Sequence, residues 1–372
     1  MSKMQCLIWI GIAAAAASLQ AQKPRTLRDA YKQDFYIGTA LNSDQIAGRD
    51  KSGDTLILQQ FNALSPENIL KWEVVHPMPN RYDFTLADQY VAFGQQNGMF
   101  VLGHTLVWHS QTPGWVFEDD HGAPISRDAL LQRLHDHIFT VVGRYKGRIR
   151  SWDVVNEALN DDGTLRNSKW LQIIGPDYLT YAYKWAQEAD PAAELNYNDY
   201  SLENPAKLKG AMQIVRTLQK NGVKIAVVGV QGHDSLTWPT LEAEEKVITE
   251  LASLGVKVAI SELDINVLPE AQLSTTADVS YHLAADPTLD PYVKGLPKGK
   301  QEELACRYAD LFKIYLKHKD AMSRVTFWGL RDGDSWLNDW PVKGRTNYPL
   351  LFDRAGKPKA AFQAVLDAAR SQ

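Results

Sequence analysis

Short runs of β-branched and aromatic residues alternate along the chain with longer stretches in which apolar residues recur every three or four positions. The short runs predict strands at Phe35–Leu41, Asn62–Ser65, Phe100–Val107, Ile149–Val155, Glu194–Tyr197, Ala226–Val230, Val256–Ser261 and Val325–Leu330. The stretches between them predict helices at Asp50–Phe61, Leu86–Asn97, Arg127–Tyr145, Tyr178–Ala189, Pro205–Asn221, Leu241–Leu254 and Lys300–Lys317, with a last one at Lys359–Ala369. Asn221-Gly222 and Leu254-Gly255 read as helix ends ahead of strands. Eight strands, each followed by a helix, describe an α/β chain folded as one (β/α)8 TIM barrel. A doubly wound open sheet is the alternative, but no Gly-rich phosphate turn follows the first strand.

The N-terminus stands apart from this pattern. One Lys precedes an apolar run, Cys6 to Leu19, with an alanine-rich centre; Leu19-Gln20-Ala21 then offers a small residue for cleavage. That order predicts a signal peptide over 1–21, too short for a comfortable membrane span, and a catalytic domain over 22–372. The run before Cys6 does not suit lipid attachment. The expectation is therefore a secreted or periplasmic protein with no membrane anchor after cleavage. Its one remaining cysteine, Cys306, leaves no internal disulfide, so stability must come from a large core. Cys306 sits among Leu304, Tyr308, Leu311 and Phe312 and is expected inside that core.

A formal net charge of −4 gives no reason to expect nucleic acid or an anionic membrane surface as a partner. Eleven Trp and fifteen Tyr lean instead toward a ligand with flat apolar faces, such as a sugar. His135 and His137, two apart on a helix, point to different faces, and no other set has zinc spacing, so no metal and no cofactor are expected.

Polar residues cluster where the predicted strands end. Glu67-Asn68 follows the second, His104 and Trp108 lie along the third, and Asn156-Glu157 ends the fourth. Asn198-Asp199-Tyr200 follows the fifth, Gln231-Gly232-His233 the sixth, Glu262-Leu263-Asp264 the seventh, and Trp328 to Trp336 the eighth. In a barrel these ends share one face, the face that carries active sites. Glu157 and Glu262, from strands four and seven, can face each other over a cleft, as glycosidic cleavage requires of its two acids. Residues i and i+2 on a strand share a side, so His233 can stand beside Glu262 with Asp264 holding its ring. That chain would keep Glu262 ionised while Glu157 keeps its proton, and Asn156 could bind a hydroxyl next to the reacting carbon. The sequence leaves open whether the carboxyl gap is the about 5–5.5 Å of retention or the about 6.5–9.5 Å of inversion.

Trp152-Asp153-Val154-Val155-Asn156-Glu157-Ala158, Ser65-Pro66-Glu67-Asn68 with Lys71-Trp72, Gly103 to His109 and Ser261-Glu262-Leu263-Asp264 together resemble glycoside hydrolase family 10. The resemblance runs from about Phe35 to Phe362. It implies a retaining endo-β-1,4-xylanase acting on xylan or xylo-oligosaccharides as a monomer, with Glu157 as general acid/base and Glu262 as nucleophile. It also implies that Glu67, Asn68 and Lys71 hold the glycon-side sugar, and that His104, Trp108, Asn156, Gln231 and His233 surround the reacting one. Trp328 and Trp336 would roof the glycon side, and Tyr200 would be an aglycon platform. Another β-glycanase on the same barrel is the nearest rival. A non-catalytic sugar-binding barrel is a further one, though such proteins usually lose one of the acids. The stretch 265–300, with Tyr281, His282 and Tyr292, departs from shorter members of the family and is either a wall of the cleft or a surface excursion.

Overall fold

The computed structural model describes residues 26–270 and 282–370. The expected signal peptide, and residues 271–281 of the 265–300 stretch with Tyr281, lie outside the described residues. Nine strands are present: β1 Tyr36–Leu41, β2 Ala63–Pro66, β3 Phe100–Val107, β4 Ser151–Asn156, β5 Glu194–Asp199, β6 Ile225–Val230, β7 His233–Ser235, β8 Lys257–Asn266 and β9 Met322–Phe327. Every ladder between them is parallel. Eight strands run in sheet order β6-β5-β4-β3-β2-β1-β9-β8, and the β6–β8 pairing closes them into a barrel. The principal helices are α1 Lys51–Gln60, α2 Thr85–Gln96, α3 Arg127–Arg144, α4 Tyr178–Ala189, α5 Pro205–Lys220, α6 Leu241–Ala252, α7 Lys298–Lys317 and α8 Ala360–Ala368. The expected (β/α)8 barrel is the observed fold.

Burial explains why the strands read as continuous apolar runs. All eight residues of β3 and all six of β4 are buried, because helices cover the outside while side chains fill the bore. The helices bury one stripe each: on α5, Leu208, Ala211, Met212, Val215 and Leu218 face the sheet. Their starts are capped by side chains, Ser126 accepting from Ala129 N, Asn204 from Ala206 N and Thr240 from Ala243 N. Gly222 and Gly255 follow α5 and α6 with φ of 80° and 75°, the left-handed backbone of a helix end.

Three expectations need correction. Cys306 is exposed, not core. The buried stripe of α7 carries Leu304, Tyr308, Leu311 and Phe312, and a residue two positions from Leu304 or Tyr308 lies about 200° around the helix. The seventh barrel strand, β8, continues to Asn266, so Glu262 and Asp264 lie within a strand and not after it. The sixth breaks at Gln231-Gly232 and resumes as β7, which leaves β6's line and pairs His233 with Asp264 of β8. His135 and His137 do separate: His137 is buried against Trp72, ring centroids 3.5 Å apart, while His135 is half-exposed beside Asp136. Among the described residues no group of three or more His, Cys, Asp or Glu is arranged to hold a metal ion.

The bore is polar at its centre. Asp153, buried on β4, accepts from Asn196 Nδ2 at 3.0 Å, lies 3.0 Å from His104 Nδ1 and 3.8 Å from Arg324 Nη2. Burial works against its charge, but His104, Arg324 and Asn196 together hold the carboxyl below its ordinary range. Next to it, the Trp152 indole lies over Gly103, its register partner on β3. A Cβ at Gly103 would sit 2.1 Å from Trp152 Cε3. Gly103→Ala is therefore expected to destabilise the barrel by about 1–3 kcal/mol, since the neighbour is a rigid ring and not a flexible chain end. Thermal unfolding followed by circular dichroism checks this, and an unchanged midpoint would show that Trp152 has room to move.

Candidate active site

The C-terminal ends of the barrel strands surround a cleft of about 500 Å³. Glu67, Asn68, Lys71, His104, Trp108, Asn156, Glu157, Tyr200, Gln231, His233, Glu262, Trp328 and Trp336 all border it. Asp264 alone of the expected set stands behind, fully buried under His233.

Glu157 follows the last residue of β4 with φ of 55°, the left-handed region that glycine favours. Its N–H is donated to Asn198 O of β5 at 2.8 Å, which fixes the turn. Its carboxylate accepts from Gln231 Nε2 at 3.0 Å on one oxygen and from Trp108 Nε1 at 2.9 Å on the other, with His109 Nδ1 3.9 Å away. Burial raises the pKa most strongly, yet His109, Gln231, Trp108 and Arg166 outweigh it and leave the group below its ordinary value. The sequence-based expectation that Glu157 keeps its proton is thus not met in the open cleft, because four cationic or donor groups converge on it.

Glu262 is held by a different set. Its N–H goes to Gln231 O at 2.7 Å, one carboxylate oxygen accepts from Asn198 Nδ2 at 2.8 Å, and the other lies 3.1 Å from His233 Nε2. His233 Nδ1 is 3.1 Å from Asp264 Oδ1, and Asp264 Oδ2 accepts from Trp336 Nε1 at 2.8 Å. Burial opposes a charge on His233, but Asp264 and Glu262 push its pKa up to about 10. The ring therefore carries both protons and donates to a carboxylate on each side, as the spacing of residues 262 and 264 suggests. Asn198, a strand-end residue to which the sequence assigns no role, proves to be shared: it reaches Glu262, lies 2.9 Å from the Asn156 amide, and accepts from Ser261 Oγ at 2.6 Å.

The line from Glu157 to Glu262 divides the barrel mouth. On the β9-β1-β2-β3 side, Lys71 Nζ donates to Asn68 Oδ1 at 2.9 Å and Gln111 Oε1 at 2.8 Å, and lies 4.8 Å from the Trp108 ring centroid. Burial lowers the pKa of Lys71 against the pull of Glu262, Glu67 and Glu157. Trp328 stands edge-on to His104 and His233, and Trp336 stacks on Trp340 at 4.9 Å. Gln111, Trp340 and His109 are members that sequence reasoning missed. Gln111 lies in a loop with φ of 44°, whose path only tertiary packing reveals.

On the β5-β6 side, the Tyr200 hydroxyl accepts from Arg166 Nη2 at 2.7 Å, and one ring face is covered by Lys207 Nζ at 3.0 Å. Asp161, Ser201, Glu203, Asp234 and Trp238, which also line the cleft, were missed as well. Glu203 and Asp234 are buried with Glu244, and Arg307 Nη2 lies 3.3 Å from Asp234. Burial, then Glu244, pushes Glu203 up to about 8, so it holds a proton at neutral pH.

Two pH effects follow. The Glu203 proton is favoured by folding, so its contribution to stability is complete below the ordinary glutamate range and is lost as pH rises through about 8. Glu203→Gln should unfold at a higher temperature than the parent at pH 9 and at nearly the same temperature at pH 5; equal midpoints at pH 9 would contradict a protonated Glu203. His233 shifts the same way, its stabilisation full below about 6.5 and lost through about 10. Nitrogen NMR of the imidazole should show both nitrogens protonated at pH 8, and a neutral ring at that pH would overturn the arrangement.

The description "Glycosyl hydrolase family 10" matches residues 26–368. An endo-1,4-β-xylanase A from Xylanibacter ruminicola is 43% identical over 357 residues, covering 96% of this chain and 97% of that one. Among solved structures, a GH10 endoxylanase retrieved from a sugarcane soil metagenome superposes with a TM-score of 0.89 at 48% identity, covering 92% of this chain and 99% of that one. Another, a mutant in complex with xylotriose, has a TM-score of 0.81 at 36% identity over 92% of this chain and all of its own. With the family match spanning nearly every described residue, the chain belongs to glycosyl hydrolase family 10.

Proposed function

We propose that this family 10 hydrolase is an endo-β-1,4-xylanase that cleaves internal xylosidic bonds with retention, through a covalent glycosyl-enzyme intermediate. The observation that carries the reading is the pair of buried carboxylates on opposite lips of one cleft, each with its own donors. Glu262 is the nucleophile. Asn198 and the His233 imidazolium hold its carboxyl oxygens in place and aim it at the anomeric carbon. Glu157 gives its proton to the departing glycosidic oxygen as the Glu262–carbon bond forms, then takes a proton from the water that breaks that bond.

The free cleft suits the second of these steps, since it keeps Glu157 ionised. Burial is already the largest influence on that carboxyl. A sugar chain that expels water from the cleft adds to it and moves Glu157 toward the protonated form the first step needs. Asn156 binds the hydroxyl beside the reacting carbon, and Lys71, Asn68 and Glu67 bind the sugar on the glycon side. Trp328 and Trp336 cover that sugar, and Tyr200 offers its open ring face to the aglycon. The xylotriose bound by a solved relative and the xylanase names of others support the choice of a xylose polymer. The leader-like N-terminus supports export to the periplasm or beyond.

Glu262→Ala should lose turnover of xylan and aryl xylosides alike, by about four orders of magnitude. Glu157→Ala should keep most of its glycosylation rate when the leaving group is an activated phenol, which needs little protonation. Proton NMR of early products should show the β-anomer first; initial α-anomer would falsify retention. Sugar release from glucan or mannan exceeding that from xylan would replace the substrate assignment.

A further inference from the structure

The turn that carries Glu157 is held from behind by Arg166, which does not border the cleft. After β4 the chain forms a short arm. In it Leu159 bridges Leu165, Asn160 N donates to Thr164 O at 2.9 Å, and Arg166 N donates to Ala158 O at 2.7 Å. The arm is seated on the start of α5. Asn204 Nδ2 donates to Asp161 O at 2.9 Å. Gly163, with φ of 80°, packs so closely that a Cβ there would meet Ala206 O at 2.2 Å. Arg166 is thereby delivered to a fixed place at the end of the arm.

From that place its guanidinium reaches three acceptors. Nε donates to Glu157 O at 3.1 Å, and Nη2 donates to Leu159 O at 3.2 Å and to the Tyr200 hydroxyl at 2.7 Å. Glu157 N already donates to Asn198 O at 2.8 Å, so the peptide groups on both sides of the left-handed residue are fixed. Such a backbone persists only where its surroundings over-determine it, and Arg166 supplies half of that restraint. The same guanidinium holds the hydroxyl of Tyr200, whose open ring face is the proposed seat of the leaving sugar. The acid and the platform beneath its leaving group are joined through one side chain.

The charge of Arg166 is also left free to act. Lys207, the other cation beside Tyr200, lies 3.1 Å from Asp199 and 3.5 Å from Asp161. Among the described residues no carboxylate forms an ion pair with Arg166, and its partners are two carbonyls and a hydroxyl. Burial is the largest influence on the Glu157 carboxyl and raises its pKa, and Arg166 is among the groups that bring it down. His109 and Lys71, from the segments after β3 and β2, Asp199 of β5, and Glu262 with His233 across the cleft also face that carboxyl. They are common to every variant below.

We propose that Arg166 is a positioning residue for the first chemical step, tying the turn of Glu157 to the Tyr200 platform so that the proton donor and the leaving sugar are held in one frame. The inference rests on the xylanase reading above and adds the residue that couples its acid to its aglycon side.

The test measures kcat/KM against pH for the full chain on xylotetraose, whose leaving sugar needs a proton, and on dinitrophenyl β-xylobioside, whose leaving group does not. Arg166→Met should lose about tenfold on xylotetraose and no more than about twofold on the aryl glycoside. Its alkaline limb on xylotetraose should move up by about one pH unit, because removing a cation strengthens the hold of Glu157 on its proton. Arg166→Lys keeps the charge but not the fork of donors, so its limb should stay with the parent's while kcat/KM on xylotetraose still falls several-fold. Tyr200→Phe should lose about threefold on xylotetraose in the parent and nothing further in Arg166→Met. Equal losses of Arg166→Met on the two substrates, an unmoved limb, or additive losses in the double variant would overturn the coupling and leave the xylanase reading standing. Should Arg166→Met not fold, parent-like kcat/KM of Arg166→Lys on xylotetraose would overturn it alone. A parent enzyme that cleaves neither substrate would overturn both.

Discussion

Two carboxylates buried at the mouth of one barrel resist their position twice, once because burial penalises charge and once because like charges repel. The rest of the site depends on how that double cost is met. Each acid receives hydrogen-bond donors that the other does not share: Trp108 and Gln231 for Glu157, Asn198 and His233 for Glu262. The donors themselves are held in place from behind. Asp264 orients His233, Ser261 satisfies Asn198, and Trp336 satisfies Asp264. The barrel is what makes this possible, because Trp108, Asn198, Gln231 and His233 come from different strands and converge on a space only a few side chains wide.

The break between β6 and β7 serves the same need. An unbroken sixth strand would keep pairing with β8 in one register. By stopping at Gln231-Gly232 the chain lets the Gln231 carbonyl accept from Glu262 N while its side chain crosses to Glu157. One residue thus touches both acids, by its backbone and by its amide. Asn198 does the equivalent from β5, with its carbonyl accepting from Glu157 N and its amide donating to Glu262. The relative placement of the two acids is set by these two bridges as much as by the sheet.

Much of this was legible in the residue order. Alternation of apolar runs with helical stripes specifies the barrel, and the polar groups at the strand ends mark its working face before any contact is known. The pairing of His233 with Glu262 and Asp264 follows from strand periodicity. What stayed hidden needs three dimensions. Cys306 looked buried because its neighbours are apolar, but the helical angle decides. Glu157 looked protonated because burial alone predicts that, whereas its ionisation depends on His109 and Arg166, which no local pattern links to it. Glu203 and Glu244 carry no signal in the residue order, and only the fold buries them together with Asp234.

Glu157 occupies a backbone conformation that suits glycine, at a residue type that gains nothing from it locally. A glutamate there costs the folded state about 1–3 kcal/mol relative to an unstrained position. The sequence that would make this barrel most stable is therefore not the sequence it has. Any search for hardier versions of the protein that scores folding alone will tend to replace residue 157 with glycine or asparagine, and will discard the carboxyl group proposed above as the proton donor. The strained residue is a point at which durability and activity are set against each other.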